Sequence, residues 1–170
     1  MGMRRAIQYT EDESKALRIV TNELHVYDPA DLNKGIVEKL RLEGVTSFSI
    51  SPGKSPSVGL FVAEKKVRSF ACLSGRRSRG TNSSSVQGAP ASVKIHSLST
   101  LASMSSSKTF YKADKIQMKW NKSGTSLLFL TQTEVDKTGK SYYGETNLYM
   151  MAAAGTFDCR VTLGESVRWS

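Results

Sequence analysis

The residues able to do chemistry are few, and most of them are cations. Nine lysines and arginines stand between positions 65 and 113 without a single acid: Lys65, Lys66, Arg68, Arg76, Arg77, Arg79, Lys94, Lys108 and Lys112. They account for the whole formal charge of +9, because the rest of the 170-residue chain balances 15 bases against 15 acids. A single-sign field attracts polyanions over a Debye length of roughly 8 Å at physiological salt. Phosphates held this way bind in a salt-dependent, sequence-blind manner. A second polar and aromatic group, Lys137, Lys140, Tyr142 and Tyr143, lies between two strand-like stretches, where loops on a rigid scaffold often carry contacts. Lys65, Lys66, Arg76, Arg77 and Arg79 together with these four are the candidate contacts to RNA or to a ribonucleoprotein. A solvated basic loop without a dedicated ligand is the competing reading. Phe70, Phe110 and Tyr111 are too sparse for a single-strand stacking platform.

Other chemistry finds little support. His25 and His96 are the only histidines, and the two cysteines, Cys72 and Cys159, lie far apart, so no set has the spacing that zinc needs. His25 and Cys159 alternate with apolar neighbours and read as structural, Cys159 as core. Thr138-Gly139-Lys140-Ser141 mimics the end of a phosphate loop, but Glu134 occupies the position that requires the first glycine, and an acid there repels phosphate. Gly53-Lys54-Ser55 fails in the same way, with Phe48 in that slot. Both read as hairpin turns. No nucleophile, base and orienting acid can be assembled. The expectation is therefore no catalytic, cofactor-binding or metal-ligating residue, and no enzyme. Two cysteines make no disulfide framework, which fits a reducing, cytoplasmic setting. The longest apolar run, 148–154, is far short of a membrane span, and no secretory signal opens the chain.

The elements that must position the cations read as short strands. Alternation or apolar runs with turn residues between them mark 5–9, 16–20, 23–27, 35–42, 45–50, 58–63, 92–96, 109–113, 116–120, 126–135, 146–151, 156–163 and 166–169. Helices are alternatives at 11–24 and at 31–42, where Asp31 is a possible cap. Residues 97–107 read as a short helix or a loop. Between 69 and 107, 13 of 39 residues are serine, and 74–85 has no apolar side chain, so a flexible insertion at about 68–86 is expected.

One unit recurs: an aromatic or apolar residue, a small polar residue, then a turn. It appears at Tyr9-Thr10, Ile50-Ser51-Pro52-Gly53, Trp120-Asn121-Lys122-Ser123-Gly124 and Trp169-Ser170, at spacings of 41, 70 and 49. Without the insertion the middle spacing falls near the others. Periods of about 40–50 residues with four strands each are those of propeller blades. The expected fold is all-β: an incomplete WD40-like β-propeller over 1–170, about three four-stranded blades plus the first strand of a fourth, cut from a larger ring. Tyr9, Phe48, Ile50, Met118, Trp120 and Trp169 are its expected core. A sandwich of many short strands is the alternative.

Asp136-Lys137-Thr138-Gly139-Lys140-Ser141-Tyr142-Tyr143-Gly144-Glu145, preceded by Phe110-Tyr111-Lys112-Ala113-Asp114-Lys115 and by Trp120-Asn121, resembles the eukaryotic translation initiation factor 2A family, the single-chain factor. Glu11-Asp12-Glu13-Ser14, Asn22-Glu23-Leu24-His25-Val26-Tyr27-Asp28, Ile50-Ser51-Pro52-Gly53 and Gly88-Ala89-Pro90-Ala91-Ser92-Val93 resemble the same family. The resemblance implies a propeller of the WD type followed by a helical, flexible C-terminal region. It implies a non-enzymatic factor of the cytoplasm that binds the small ribosomal subunit and supports delivery of initiator methionyl-tRNA. mRNA and other initiation factors are further implied partners, and no membrane is. The region that the family ties to tRNA and mRNA contacts is missing from this chain. A protein-interaction propeller without RNA contact is the alternative function. The Ser/Arg-rich insertion departs from the family, which runs from the strand near 62–64 through a short turn to Gly88-Ala89-Pro90.

Overall fold

The computed structural model describes residues 7–65, 89–111, 113–133 and 146–161. They form three four-stranded antiparallel sheets, each a simple meander. The first sheet holds β1 (Gln8–Tyr9), β2 (Ala16–Val20), β3 (Glu23–Tyr27) and β4 (Ile36–Arg41). The second holds β5 (Val45–Ile50), β6 (Ser57–Val62), β7 (Ala91–Ser97) and β8 (Met104–Phe110). The third holds β9 (Lys115–Trp120), β10 (Ser126–Gln132), β11 (Thr146–Ala152) and β12 (Asp158–Val161).

Neither proposed helix forms. Residues 16–20 and 23–27 are strands joined by a two-residue turn, Thr21-Asn22, in which both residues have positive φ (31° and 64°). Such turns match the twist of the paired strands. Asp31 does cap a turn, its carboxylate accepting from the Asn33 N–H at 3.2 Å, but the helix stops after one 3-10 turn, Leu32–Lys34. Gly35, at φ +67°, redirects the chain, and the β-branched pair Ile36-Val37 opens β4.

The recurring unit has a local cause. Tyr9, Ile50 and Trp120 each end the first strand of a sheet. The small polar residue that follows closes the hairpin twice over. The N–H groups of Thr10, Ser51 and Asn121 donate to the carbonyls of Lys15, Ser57 and Ser126 at 3.0, 2.8 and 3.1 Å. Their side-chain oxygens accept from the N–H groups of those same three partners at 3.1, 2.7 and 3.0 Å. An apolar residue cannot supply the second bond, which is why threonine, serine or asparagine stands there.

The sheets stack face to face with their first strands adjacent. Gln8 Nε2 donates to the Phe48 carbonyl at 3.1 Å, and Trp120 Nε1 to the Ser49 carbonyl at 3.2 Å. The seam between the first and second sheets is aliphatic: Leu17, Ile19, Leu24 and Val26 meet Val45, Phe48, Val58 and Leu60. Leu98 and Leu101, from the β7–β8 turn, plug it. The seam between the second and third sheets joins Phe61, Val93, Ile95 and Phe110 to Leu127, Phe129 and Met151. The second sheet is thus covered on both faces, and its β6 is accordingly near-continuously apolar, with Leu60 facing one seam and Phe61 the other.

Of the expected core, Phe48 is buried, and Ile50, Met118 and Trp120 are half-buried against the two seams. Tyr9 is instead 57% exposed. Ile50 packs toward the first sheet and Trp120 toward the second, each on the sheet that precedes its own. Tyr9 occupies the equivalent position in the first sheet, and no described residue forms a sheet on that side. Cys159 is likewise exposed rather than core, because β12 is the last strand of its sheet. Residues 104–107, expected in a short helix or a loop, belong to the serine-rich strand β8. Trp169 and the strand expected at 166–169 lie outside the described residues.

Candidate nucleic-acid interface

Antiparallel meanders that stack in parallel have two distinct ends. At the hairpin end lie the turns after β1, β3, β5, β7, β9 and β11, and contacts there cross between sheets. Gly53 N–H donates to Glu11 Oε2 at 2.7 Å, Lys15 Nζ donates to the Leu98 carbonyl at 2.7 Å, and Gly124 lies directly against the Pro52 carbonyl. At the connector end lie the β2–β3 turn, the links between sheets and the two longest connections, which leave β6 and β10. Here the Asn22 side chain accepts from Gly44 N–H at 3.0 Å, and Ala63 N–H donates to the Gly44 carbonyl at 3.0 Å.

Lys65 is the one sequence-derived contact residue among the described ones. Its backbone N–H donates to the Ala89 carbonyl at 3.1 Å, which pins the two ends of the β6–β7 connection together. Its ammonium meets Glu43 Oε2 at 2.7 Å, both groups being exposed. The Lys65 hydrogen bond and charge, with the charge of Arg41, hold the Glu43 carboxyl below the usual carboxylate range. Lys66, Arg76, Arg77, Arg79, Lys137, Lys140, Tyr142 and Tyr143 lie outside the described residues, as does the phosphate-loop mimic at 138–141. Lys108, another cation of the acid-free segment, is ion-paired with Asp158 across the second and third sheets. Lys94 stands on β7 and is half-buried.

Sequence reasoning missed a charged face. Strand register sets Arg18 opposite His25 and His25 opposite Lys39, with Glu23 opposite Arg41, on the face of the first sheet turned away from the second. His25 Nε2 is 2.9 Å from Glu23 Oε2, and Nδ1 is 3.3 Å from the Tyr27 hydroxyl. The hydrogen bond from His25 is the main cause holding the Glu23 carboxyl low. Period-two reading of 16–27 together with 36–41 could have found this row. On the opposite outer surface, that of the third sheet, Lys119, Trp120, Asn121, Ser126, Leu128 and Met150 line a shallow groove of about 240 Å³. Among the described residues no group of acids, histidines and cysteines is arranged to hold a metal ion, and no helix is long and apolar enough to cross a membrane.

Comparison with known proteins gives the arrangement a context. The family model described as Eukaryotic translation initiation factor eIF2A matches residues 108–170. Eukaryotic translation initiation factor 2A of Schizosaccharomyces pombe is 50% identical over 157 residues, covering 92% of this chain and 24% of that protein. The chain belongs to the eukaryotic translation initiation factor 2A family. The factor of the same name from Caenorhabditis elegans is 35% identical over 145 residues, covering 85% of this chain and 22% of its own length. A solved structure described as the crystal structure of the eukaryotic initiation factor superposes with a TM-score of 0.66 at 41% identity, over 89% of this chain and 31% of that one. The chain therefore spans about a quarter of the length of the curated relatives it matches.

Proposed function

We propose that this chain is part of a non-enzymatic translation initiation factor whose three sheets are consecutive blades of a β-propeller, and that its connector end docks on the RNA of the small ribosomal subunit. The observation that carries this reading is topological. The connections after β6 and β10, which hold Lys66, Arg76, Arg77, Arg79, Lys137, Lys140, Tyr142 and Tyr143, depart from the same end of the stack, where Lys65 also lies. Cations carried on connections that leave one end of a rigid scaffold favour a directional field, whereas connections leaving both ends would not. Support for initiator methionyl-tRNA delivery, contact with mRNA or other initiation factors, and residence in the cytoplasm follow the family and belong to this proposal. The further blades and the flexible C-terminal region are expected in the rest of the factor.

Co-sedimentation with purified small ribosomal subunits across a salt series tests the proposal. Association should weaken steadily as salt rises. A triple Arg76→Ala, Arg77→Ala, Arg79→Ala variant should bind more weakly and lower the slope of log K against log salt by about 2 to 3. Absence of association at low salt would sink the RNA reading. It would leave a protein-interaction propeller, a reading favoured by the ion pairing of Lys65 and Lys108 to carboxylates.

A further inference from the structure

The hairpin end of the first sheet exposes apolar side chains close together in the chain. Three aliphatic side chains stand in water within six residues: Leu32 is 72% exposed, Val37 58% and Ile36 46%. They sit where the 3-10 turn passes into β4, the last strand of its sheet. The shift of register between β3 and β4 leaves Val37 between the paired positions Ile36 and Glu38. Exposed aliphatics at a sheet's edge gain stability only when another surface covers them.

Charge identifies what would cover them. The two turns at this end of the first sheet, residues 10–15 and 28–35, hold Glu11, Asp12, Glu13, Asp28 and Asp31 against Lys15 and Lys34. The two turns therefore carry a net formal charge of −3, five acids against two lysines. Lys15 reaches across to the Leu98 carbonyl, and Lys34 lies 3.9 Å from Asp28 and 3.5 Å from Asp31. In a chain of net charge +9 these two turns are net acidic. Hydrogen bonds from Thr10 and Ser14 hold the Asp12 carboxyl below its usual range, so it is ionised at neutral pH. A nucleic acid or an anionic membrane surface would be repelled here.

We infer that the exposed aliphatic patch Leu32, Ile36 and Val37 is a docking surface for a basic, apolar-containing segment of another protein, on the end of the stack opposite the proposed RNA contacts. The partner's aliphatic side chains cover the patch, and its lysines or arginines face Asp28, Asp31 and the acids of the β1–β2 turn. This goes beyond the RNA reading and does not depend on it.

The test uses the whole chain and a fluorescein-labelled peptide of about fourteen residues that alternates leucine and lysine. Two control peptides replace lysine with glutamate or leucine with glycine. Fluorescence anisotropy should show the leucine–lysine peptide binding about tenfold or more tighter than either control. The Leu32→Ser, Val37→Thr double variant should lose about tenfold in affinity. The Asp28→Asn, Asp31→Asn variant should lose a similar amount, since asparagine keeps the acceptors for the Ala30 and Asn33 N–H groups and removes only the charge. All these side chains are at the surface, so both variants should melt with the parent. Unchanged peptide affinity in either variant, or equal binding of the lysine–glycine control, would overturn the inference. Ribosomal-subunit association, measured on the same variants, should not move, so failure of either idea is visible separately.

Discussion

The two seams of the stack are built from the same strand topology and differ in what fills them. The first is aliphatic and laced with polar groups. His96 is buried in the second sheet, its Nδ1 2.9 Å from the Leu101 carbonyl, and its Nε2 has no protein partner. Lys15 and Gln8 also reach across this seam to backbone carbonyls. The second seam is aromatic. Phe110 lies 6.2 Å from Phe61, 5.7 Å from Phe129 and 5.6 Å from Tyr149, ring centre to ring centre, and Tyr149 stacks on Phe129 at 5.3 Å. Leu127 packs on Gly59, where an added Cβ would fall 2.9 Å from Leu127 Cδ2, and Trp120 lies beside it. Aromatic contact adds to area burial without introducing a group that titrates near neutral pH. The second seam should therefore depend mainly on shape, while the first depends also on the protonation of the His96 ring.

The largest break is Phe129→Ala, which removes the ring shared by Phe110 and Tyr149 and should cost about 3 to 5 kcal/mol in chemical denaturation. A loss below about 1 kcal/mol would mean that the aromatic seam is not what joins these sheets. Next is Gly124→Ala. Its Cβ would fall 2.3 Å from the Pro52 carbonyl oxygen, and φ is +68°, so both the contact between hairpins and the backbone are strained. About 2 kcal/mol of destabilisation is expected. A neutral result would show the hairpins to be apart.

The smallest effect sharpens the contrast between the seams. Burial pushes the His96 imidazole below its ordinary 6.5. The Leu101 carbonyl opposes this by favouring the protonated ring, and Lys94 reinforces it. The unfolded chain thus takes up a proton near pH 6.5 while the folded chain does so only lower. Stability is full above that pH and declines as pH falls from there through the folded value. Thermal melts at pH 7.5 and 5.5 should differ by about 1 kcal/mol in the parent. The difference should shrink in His96→Gln, which can still donate to the Leu101 carbonyl. An unchanged pH dependence would move the sensitivity elsewhere. Asp12, Glu23 and Glu43, all held low, titrate below their ordinary values of 3.8 and 4.5 and so outside this window.

Much of this architecture could be read from the chain because apolar alternation and turn residues agree in most segments. Residues 16–20, 23–27 and 45–50 were legible as strands to the residue. The recurrence of Tyr9-Thr10, Ile50-Ser51 and Trp120-Asn121 marked the same corner of each sheet. Strand β8 was hidden because an outermost strand needs few apolar side chains. Met104-Ser105-Ser106-Ser107 shows no alternation, and its partner β7 supplies the pairing. Tyr9 and Cys159 misled because alternation tells which residues share a face and not whether anything covers that face. Of the candidate contacts, the basic composition was legible, but the Lys65–Glu43 and Lys108–Asp158 pairs join residues 22 and 50 positions apart, which no local pattern reveals.

The bond between Lys65 N–H and the Ala89 carbonyl has a practical corollary. It fixes the mouth of the β6–β7 connection regardless of how much chain lies beyond it. Closure entropy grows only logarithmically, by about 0.6 kcal/mol for each doubling of length. A fluorescent or epitope tag spliced into that stretch should leave the sheets undisturbed, giving a handle at the surface proposed to meet the ribosome.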